Sequence, residues 1–258
     1  MGSNSWVDSS RYLTAAYLKY VSSPLSAVRF ELVTRALLQQ LPQRPCRVVD
    51  VGGGNCRQAL MLASQGHEVV VVEPDATMVQ AGESLLADQP ADIASRIRLV
   101  RAAGEDAARI VGTEFDLACC HSVLMYVDDP GPILATLVKL VRSQGLLSIL
   151  SLNRDAIAMR SGLQGKWADA VGSIKQGRQV GDEYIPARAD TLSDITSRLA
   201  ELGVTTRTWY GVRIFTDHLN QAEETYDLDE ICELEWLAGM RDPYRYVARQ
   251  FHLIAERS

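Results

Sequence analysis

The chain has 258 residues, 47% of them hydrophobic, and a net charge of −6, which suits one domain over 1–258 with a single sizeable core and a small insertion. Its apolar runs are strand-length rather than bilayer-length and no signal peptide is read at the start, so a cytoplasmic protein without membrane association is expected. The acidic balance excludes indiscriminate nucleic-acid binding. Cys46, Cys56, Cys119, Cys120 and Cys232 form no C-x-x-C pair and read as reduced, buried thiols rather than as a metal site.

Met1 to Ser5 lacks the myristoylation pattern, because Trp6 stands where that motif wants Ser or Thr. From Ser9 to Leu41 the spacing is helical, with Pro24 starting a second helix after Ser22 and Ser23 as caps. The strand Arg47–Val51 runs into Gly52-Gly53-Gly54, and the helix beyond passes Ala59 and closes at Gly66. A second strand, Val69 to Glu73, ends on an acid, and Asp75 caps a helix through Leu86. Ile97 to Arg101 is a third strand, followed by a turn over Ala102 to Asp106. Phe115 to His121 is the fourth, a helix covers Pro132 to Arg142, and Leu146 to Leu152 is the fifth.

Residues 153–190 then read as short helices and loop, an insertion or lid above the sheet's carboxyl edge. Helix returns from Leu192 to Leu202. Val204 to Phe215 and Arg249 to Glu256 read as closing strands joined by an acidic helix. The expected fold is α/β, a doubly wound, mostly parallel seven-stranded sheet with amino-terminal helices and a helical insertion after strand five. Charge is uneven along it. Arg142, Arg154, Arg160, Lys166, Lys175, Arg178 and Arg188 fall in one stretch, while Glu223, Glu224, Asp227, Asp229, Glu230, Glu233 and Glu235 crowd a later one. A basic lip for a phosphate-bearing substrate and a pair of ordinary solvated faces are both open.

The glycine turn after β-type sequence, with an acid ending the next strand, describes a nucleoside site: glycines admit a ligand to the backbone and the acid holds a ribose diol. The third glycine of G-x-G-x-x-G is missing and no P-loop is present. Asp50, Gly52 and Gly54 instead match D/E-x-G-x-G-x-G, the first motif of S-adenosylmethionine (SAM) methyltransferases, with Cys56 in place of the third glycine. In an open α/β sheet the strand ends line the crevice. Gly52 and Gly53 then approach the amino-acid part of SAM and Glu73 its ribose. Glu105 and Asp106 meet the adenine edge, unless Asp106 is only a helix cap. His121, at the tip of strand four, faces the sulfonium or is a hydrogen-bonded structural residue.

GVRIFTDHL (211–219) and ICELEWLAGMRDPY (231–244) resemble the carboxyl half of bacterial tRNA 5-carboxymethoxyuridine carboxyl methyltransferases. The likeness runs from about Tyr17 to Glu256 and includes the helix around Arg29, the triple glycine and His121-Ser122-Val123-Leu124. It implies SAM contacts from Arg29, Gly52, Gly53, Glu73, Gly104, Glu105 and His121, and tRNA as partner. Arg29 would reach the methionine carboxylate, whereas read alone it is a surface helix residue. The chain departs from the family at Cys56, at the turn Arg142 to Gly145, and in the insertion, where a lysine run is reduced to Lys175 and Arg178. Fewer lysines mean weaker phosphate contacts.

A carboxylate nucleophile needs orientation by a cation rather than a base. Arg213 is the candidate clamp, or else a surface ion pair, with Arg154 and Arg245 as helpers. Tyr126, Trp167, Tyr184 and Tyr210 are stacking candidates or packing residues. Besides wobble-uridine methylation in tRNA, a small-molecule methyltransferase and a non-catalytic SAM-binding protein fit the same features.

Overall fold

Val48 and Val49 on the strand Arg47–Val51 (β1) are both fully buried, as expected of a central parallel strand covered on two faces. The computed structural model describes residues 14, 17, 18, 20, 21, 23–180, 187–219 and 226–258. Strands Glu68–Glu73 (β2), Ile97–Arg101 (β3), Phe115–His121 (β4), Val141–Leu152 (β5), Val204–Val212 (β6) and Gln250–Arg257 (β7) complete a seven-stranded sheet of order β3-β2-β1-β4-β5-β7-β6. Only β7 runs antiparallel to its neighbours. The order reverses between β1 and β4, so the crevice expected at a topological switch point opens above these two strands.

Alternation along the strands supplies two core layers. Val48, Leu117 and Cys119 face one layer, with Val28 and Leu37 of the helix Pro24–Gln40 (α1), Leu62 of Arg57–Ser64 (α2) and Trp236 of Leu228–Gly239. Val49, Val51, Ala118 and Cys120 face the other, against Leu134 and Leu137 of Gly131–Leu140 and Ile195 of Leu192–Glu201. The helix Ala76–Ala87 (α3) packs beside β3, and its N-cap Asp75 accepts from the amides of Thr77 and Met78 as the sequence predicts. Cys46, Cys56, Cys119 and Cys120 are buried free thiols and Cys232 is half-buried.

Three boundaries differ from expectation. Pro24 does start α1, but the N-cap Ser23 makes no side-chain capping bond, and Ser22 lies outside the described residues. The helix expected to reach Arg142 ends at Leu140 because β5 begins at Val141. Gln144 takes a φ of +60° and the register between β4 and β5 shifts there, so the strand pairs again beyond an irregularity that hides it from periodicity. β6 stops at Val212 rather than Phe215, since Arg213 has a φ of +63°. The insertion contains the helices Met159–Leu163 and Trp167–Gln176. Its return is tied to the end of β5, where the Asp190 amide donates to the Leu152 carbonyl at 3.1 Å. Among the described residues, no helix is long and apolar enough to cross a membrane.

Candidate active site

All three glycine positions of the first motif take left-handed backbone: φ is +71° at Gly52, +56° at Gly54 and +66° at Cys56. This is the physical content of the alternating glycines. The bend brings the Gly52 amide back to the Val72 carbonyl at 2.7 Å. A Cβ on Gly52 would collide with Val123, and one on Gly53 would lie 2.7 Å from Asp50 Oδ2. The loop therefore folds tightly over the Asp50 carboxylate before α2 begins.

Glu73 ends β2 nearly buried. Its Oε2 accepts from the Gly54 amide at 3.0 Å and its Oε1 from the Asp75 amide at 3.0 Å. These bonds hold the carboxylate in one orientation and leave lone pairs for a diol. Burial raises its pKa to about 7 against the two amide bonds, which lower it. Asp50 is also raised to about 7, by burial first and then by the Glu73 charge, with Arg29 acting the other way. Neither oxygen of Asp50 has a hydrogen-bond partner among the described residues. A buried carboxylate without donors is unstable as an anion, and a ligand bearing an ammonium and a sulfonium is the kind of neighbour that compensates it.

Gly52, Gly54, Glu73, Gly104, Glu105 and His121, all expected to meet the cofactor, line one cleft. Val51, Met78 and Ile133 give it apolar walls, suited to a flat base. Asp50 is buried and Gly53 half-buried, and neither lines it. Asp106 is also off it, exposed on the turn Gly104–Asp106 and paired with Arg109 at 3.1 Å. It makes no side-chain capping bond to the following helix either.

His121 is a hydrogen-bonded residue that also reaches the cleft. It lines the cleft, and its Nε2 shares a hydrogen bond with Ser148 Oγ at 2.7 Å, which shares another with His252 Nε2 at 2.7 Å. Burial, the neighbouring His252 and Arg29 all push the His121 pKa well down. The ring that lines the cleft is therefore held in its neutral form.

Arg29 is not a surface residue. It is 4% exposed, and its guanidinium donates to Ser122 Oγ at 3.1 Å and to Tyr17 Oη at 3.3 Å, both residues of the cleft wall. Helical periodicity missed this because the contact comes from the loop after β4. Arg213 is not a surface ion pair either. It is 5% exposed, donates to Tyr20 Oη at 3.0 Å and faces Asp217 at 3.3 Å, and it does not line the cleft.

The structure brings Tyr126 to the cleft. Tyr210 instead stacks on Trp236 in the core, ring centroids 5.4 Å apart. Trp167 is 70% exposed on the insertion, and Tyr184 lies outside the described residues. Arg245 is engaged by Asp242 and the Trp209 ring, and Arg154 packs against Gly177. Sequence reasoning missed Tyr17, Ser148, His252 and Gln250, whose side chain donates to Ser122 Oγ at 3.0 Å. No spacing marks any of them.

The family described as a methyltransferase domain matches residues 49–149, the span from β1 into β5. The tRNA 5-carboxymethoxyuridine methyltransferase of Escherichia coli (strain K12) is 28% identical over 234 residues, covering 90% of this chain and 87% of the relative. Among solved structures, a SAM-dependent methyltransferase from Methanosarcina mazei superposes with a TM-score of 0.60 at 13% identity, covering 86% of this chain and 96% of the other. A glycopeptide N-methyltransferase solved with SAM gives 0.57 at 12%, covering 87% and 92%. Residues 49–149 therefore carry a methyltransferase domain, the fold is that of SAM-dependent methyltransferases, and the chain resembles the tRNA 5-carboxymethoxyuridine methyltransferases over nearly its whole length.

Proposed function

We propose that this enzyme methylates a carboxylate, and that its acceptor is 5-carboxymethoxyuridine at the wobble position of tRNA. The observation that carries the reading is the likeness to the Escherichia coli enzyme of that name, which runs through 90% of the chain and so includes the carboxyl-terminal half beyond the cofactor motifs. Bound SAM supplies an electrophilic methyl group. Glu73 holds the ribose, Arg29 takes the methionine carboxylate, and the neutral His121 ring packs near the sulfonium without repelling it. Asp50 under the glycine loop compensates the ligand's positive charge.

A carboxylate acceptor is already ionised at neutral pH, so no general base is needed. The requirement is alignment with the methyl group and exclusion of water. Arg213, buried at the same sheet edge, is the orienting cation, and the helices Met159–Leu163 and Trp167–Gln176 of the insertion cover the acceptor. The test is incubation with labelled SAM and tRNA bearing the free wobble carboxylate, followed by nucleoside mass analysis. Formation of the wobble methyl ester supports the reading. Transfer of label to a metabolite extract but not to tRNA would replace it with a small-molecule acceptor.

A further inference from the structure

One hydroxyl joins two imidazoles across three strands of the sheet. Ser148 Oγ lies 2.7 Å from His121 Nε2 and 2.7 Å from His252 Nε2. His121 on β4 and His252 on β7 are both in register with Leu150 of β5. Ser148 precedes Leu150 by two positions, so strand alternation puts all three polar side chains on one face. Ser148 and His252 are wholly buried. Burial pushes the His252 pKa down to about 3, and burial, His252 and Arg29 push that of His121 well down. Both rings are therefore neutral near pH 7, each with one N–H and one lone pair.

A hydroxyl carries a single hydrogen. It donates to one Nε2 and accepts from the other, so the two rings hold opposite tautomers. The Cys119 thiol also bonds to Ser148, and burial raises its pKa so that it keeps its proton. That contact uses the oxygen's second lone pair, because an imidazole nitrogen outcompetes sulfur for the hydroxyl hydrogen. The Nδ1 atoms of both rings have no hydrogen-bond partner among the described residues, which leaves Ser148 to decide the tautomers. His252 does not line the cleft, and its ring lies 6.0 Å from that of Tyr210, which stacks on Trp236 in the core. The polar chain thus starts in fixed packing and ends at His121, on the cleft wall. An apolar core would be cheaper than such a chain.

We propose that His252 is a positioning residue for the cofactor: acting through Ser148, it fixes the ring orientation and the proton of His121, which meets SAM in the cleft. The inference rests on SAM lying beside His121, and His121→Ala tests that placement by itself. SAM affinity is measured by calorimetry, beside thermal melts, for that variant, Ser148→Ala, His252→Leu, His252→Gln and the double variant Ser148→Ala with His252→Leu. Nitrogen NMR of the ring atoms reports which nitrogen of each histidine carries the proton.

Ser148→Ala and His252→Leu are each expected to weaken SAM binding by roughly threefold to tenfold. The double variant should do no worse than either single one, since both break the same chain. His252→Gln should restore wild-type affinity, because its amide can donate to or accept from Ser148. The wild-type rings should show opposite tautomers, and in Ser148→Ala the His121 ring should populate both. Should His252→Leu not fold, Ser148→Ala decides in both readouts.

The same tautomer on both wild-type rings would overturn the proposal. So would unchanged SAM affinity in folded Ser148→Ala or His252→Leu, additive losses in the double variant, or a folded His252→Gln as weak as His252→Leu, any of which would make His252 a core residue alone. A His121→Ala variant that binds SAM like wild type would remove the cofactor placement as well. A weakened His121→Ala beside unaffected Ser148→Ala and His252→Leu would sink only the role of His252.

Discussion

Arg29 and Ser122 are 93 positions apart in sequence, yet the arginine donates to the serine hydroxyl at 3.1 Å, binding the first described helix to the loop that follows His121. Gln250 donates to the same oxygen at 3.0 Å. Ser122 itself has a φ of +61°, so two donors hold a residue that does not favour that backbone. No carboxylate of the described residues pairs with Arg29 within 4.0 Å, which leaves a buried cation facing a cleft. Arg29→Met should therefore weaken SAM binding by about tenfold or more, while stability changes little or rises, because a buried charge is replaced by an apolar chain of similar length. Calorimetry of SAM binding beside a thermal melt checks both halves. Loss of stability with unchanged SAM affinity would make Arg29 a structural residue.

Asp50 and Glu73 impose a pH dependence on cofactor binding. Both carboxyls are raised to about 7, from ordinary values of 3.8 and 4.5, chiefly by burial. Between those limits the folded chain holds protons that the unfolded chain releases, so their contribution to stability falls as pH rises through the window. Cationic SAM favours the ionised forms. Its binding should release protons, and its affinity should climb as pH rises towards about 7 and then level off. Titrations at pH 6.5 in buffers of different ionisation enthalpy would detect the protons (about one per site or fewer). A flat affinity across that window would contradict the assignment.

Cys56 occupies a left-handed position where the motif normally has glycine, and its sulfur packs so closely that a Cβ on Gly82 would lie 2.9 Å from it. Substitution with alanine keeps the backbone strain and loses the sulfur. Substitution with glycine loses the sulfur but removes strain of about 1–2 kcal/mol. Cys56→Gly should thus melt above Cys56→Ala by about 1 kcal/mol, the reverse of the usual order of the two residues. Burial also pushes the thiol pKa up to about 12, so iodoacetamide should leave Cys56 unmodified in native protein near neutral pH.

The cofactor half of this site was legible because its chemistry imposes backbone demands. Positive φ at positions 52, 54 and 56 selects glycine twice, and an acid ending an apolar strand is costly unless a ligand uses it. Asp50 was legible as a motif letter, but its lack of donors was not. For the proposed acceptor the sequence offered Arg213, with Arg154 and Arg245 as helpers. Asp217 comes from the loop after β6, Arg249 from the position just before β7, and Gln250 and His252 from β7, whose reversed direction carries its first residues towards the cleft. No helical or strand period marks a contact made that way. The surface reading of Arg29 taken alone fails for the same reason, since a helix period reports a buried face but not which polar residue on it has a partner.

Glu235 offers a test of how Arg213 is placed. From within the helix Leu228–Gly239 its carboxylate accepts from the amide of Ile214 at 2.6 Å, of Phe215 at 2.9 Å and of Thr216 at 3.0 Å, and from the Thr216 hydroxyl at 2.8 Å. The side chain is wholly buried. These bonds fix the loop that holds Arg213 at φ +63° and carries Asp217. Glutamine keeps the shape but turns one acceptor into a donor facing amides, and it removes charge from the remaining bonds. Glu235→Gln should therefore cost about 2–3 kcal/mol of stability. It should also raise the KM for the acceptor several-fold while SAM affinity stays near wild type, because the residues proposed for the cofactor, Glu73 and the glycine turn, make no contact with this loop. Glu235→Ala should unfold more readily still, leaving three buried amides without any acceptor. Equal losses of SAM and acceptor binding in Glu235→Gln would show that the loop supports the whole cleft rather than the acceptor side alone.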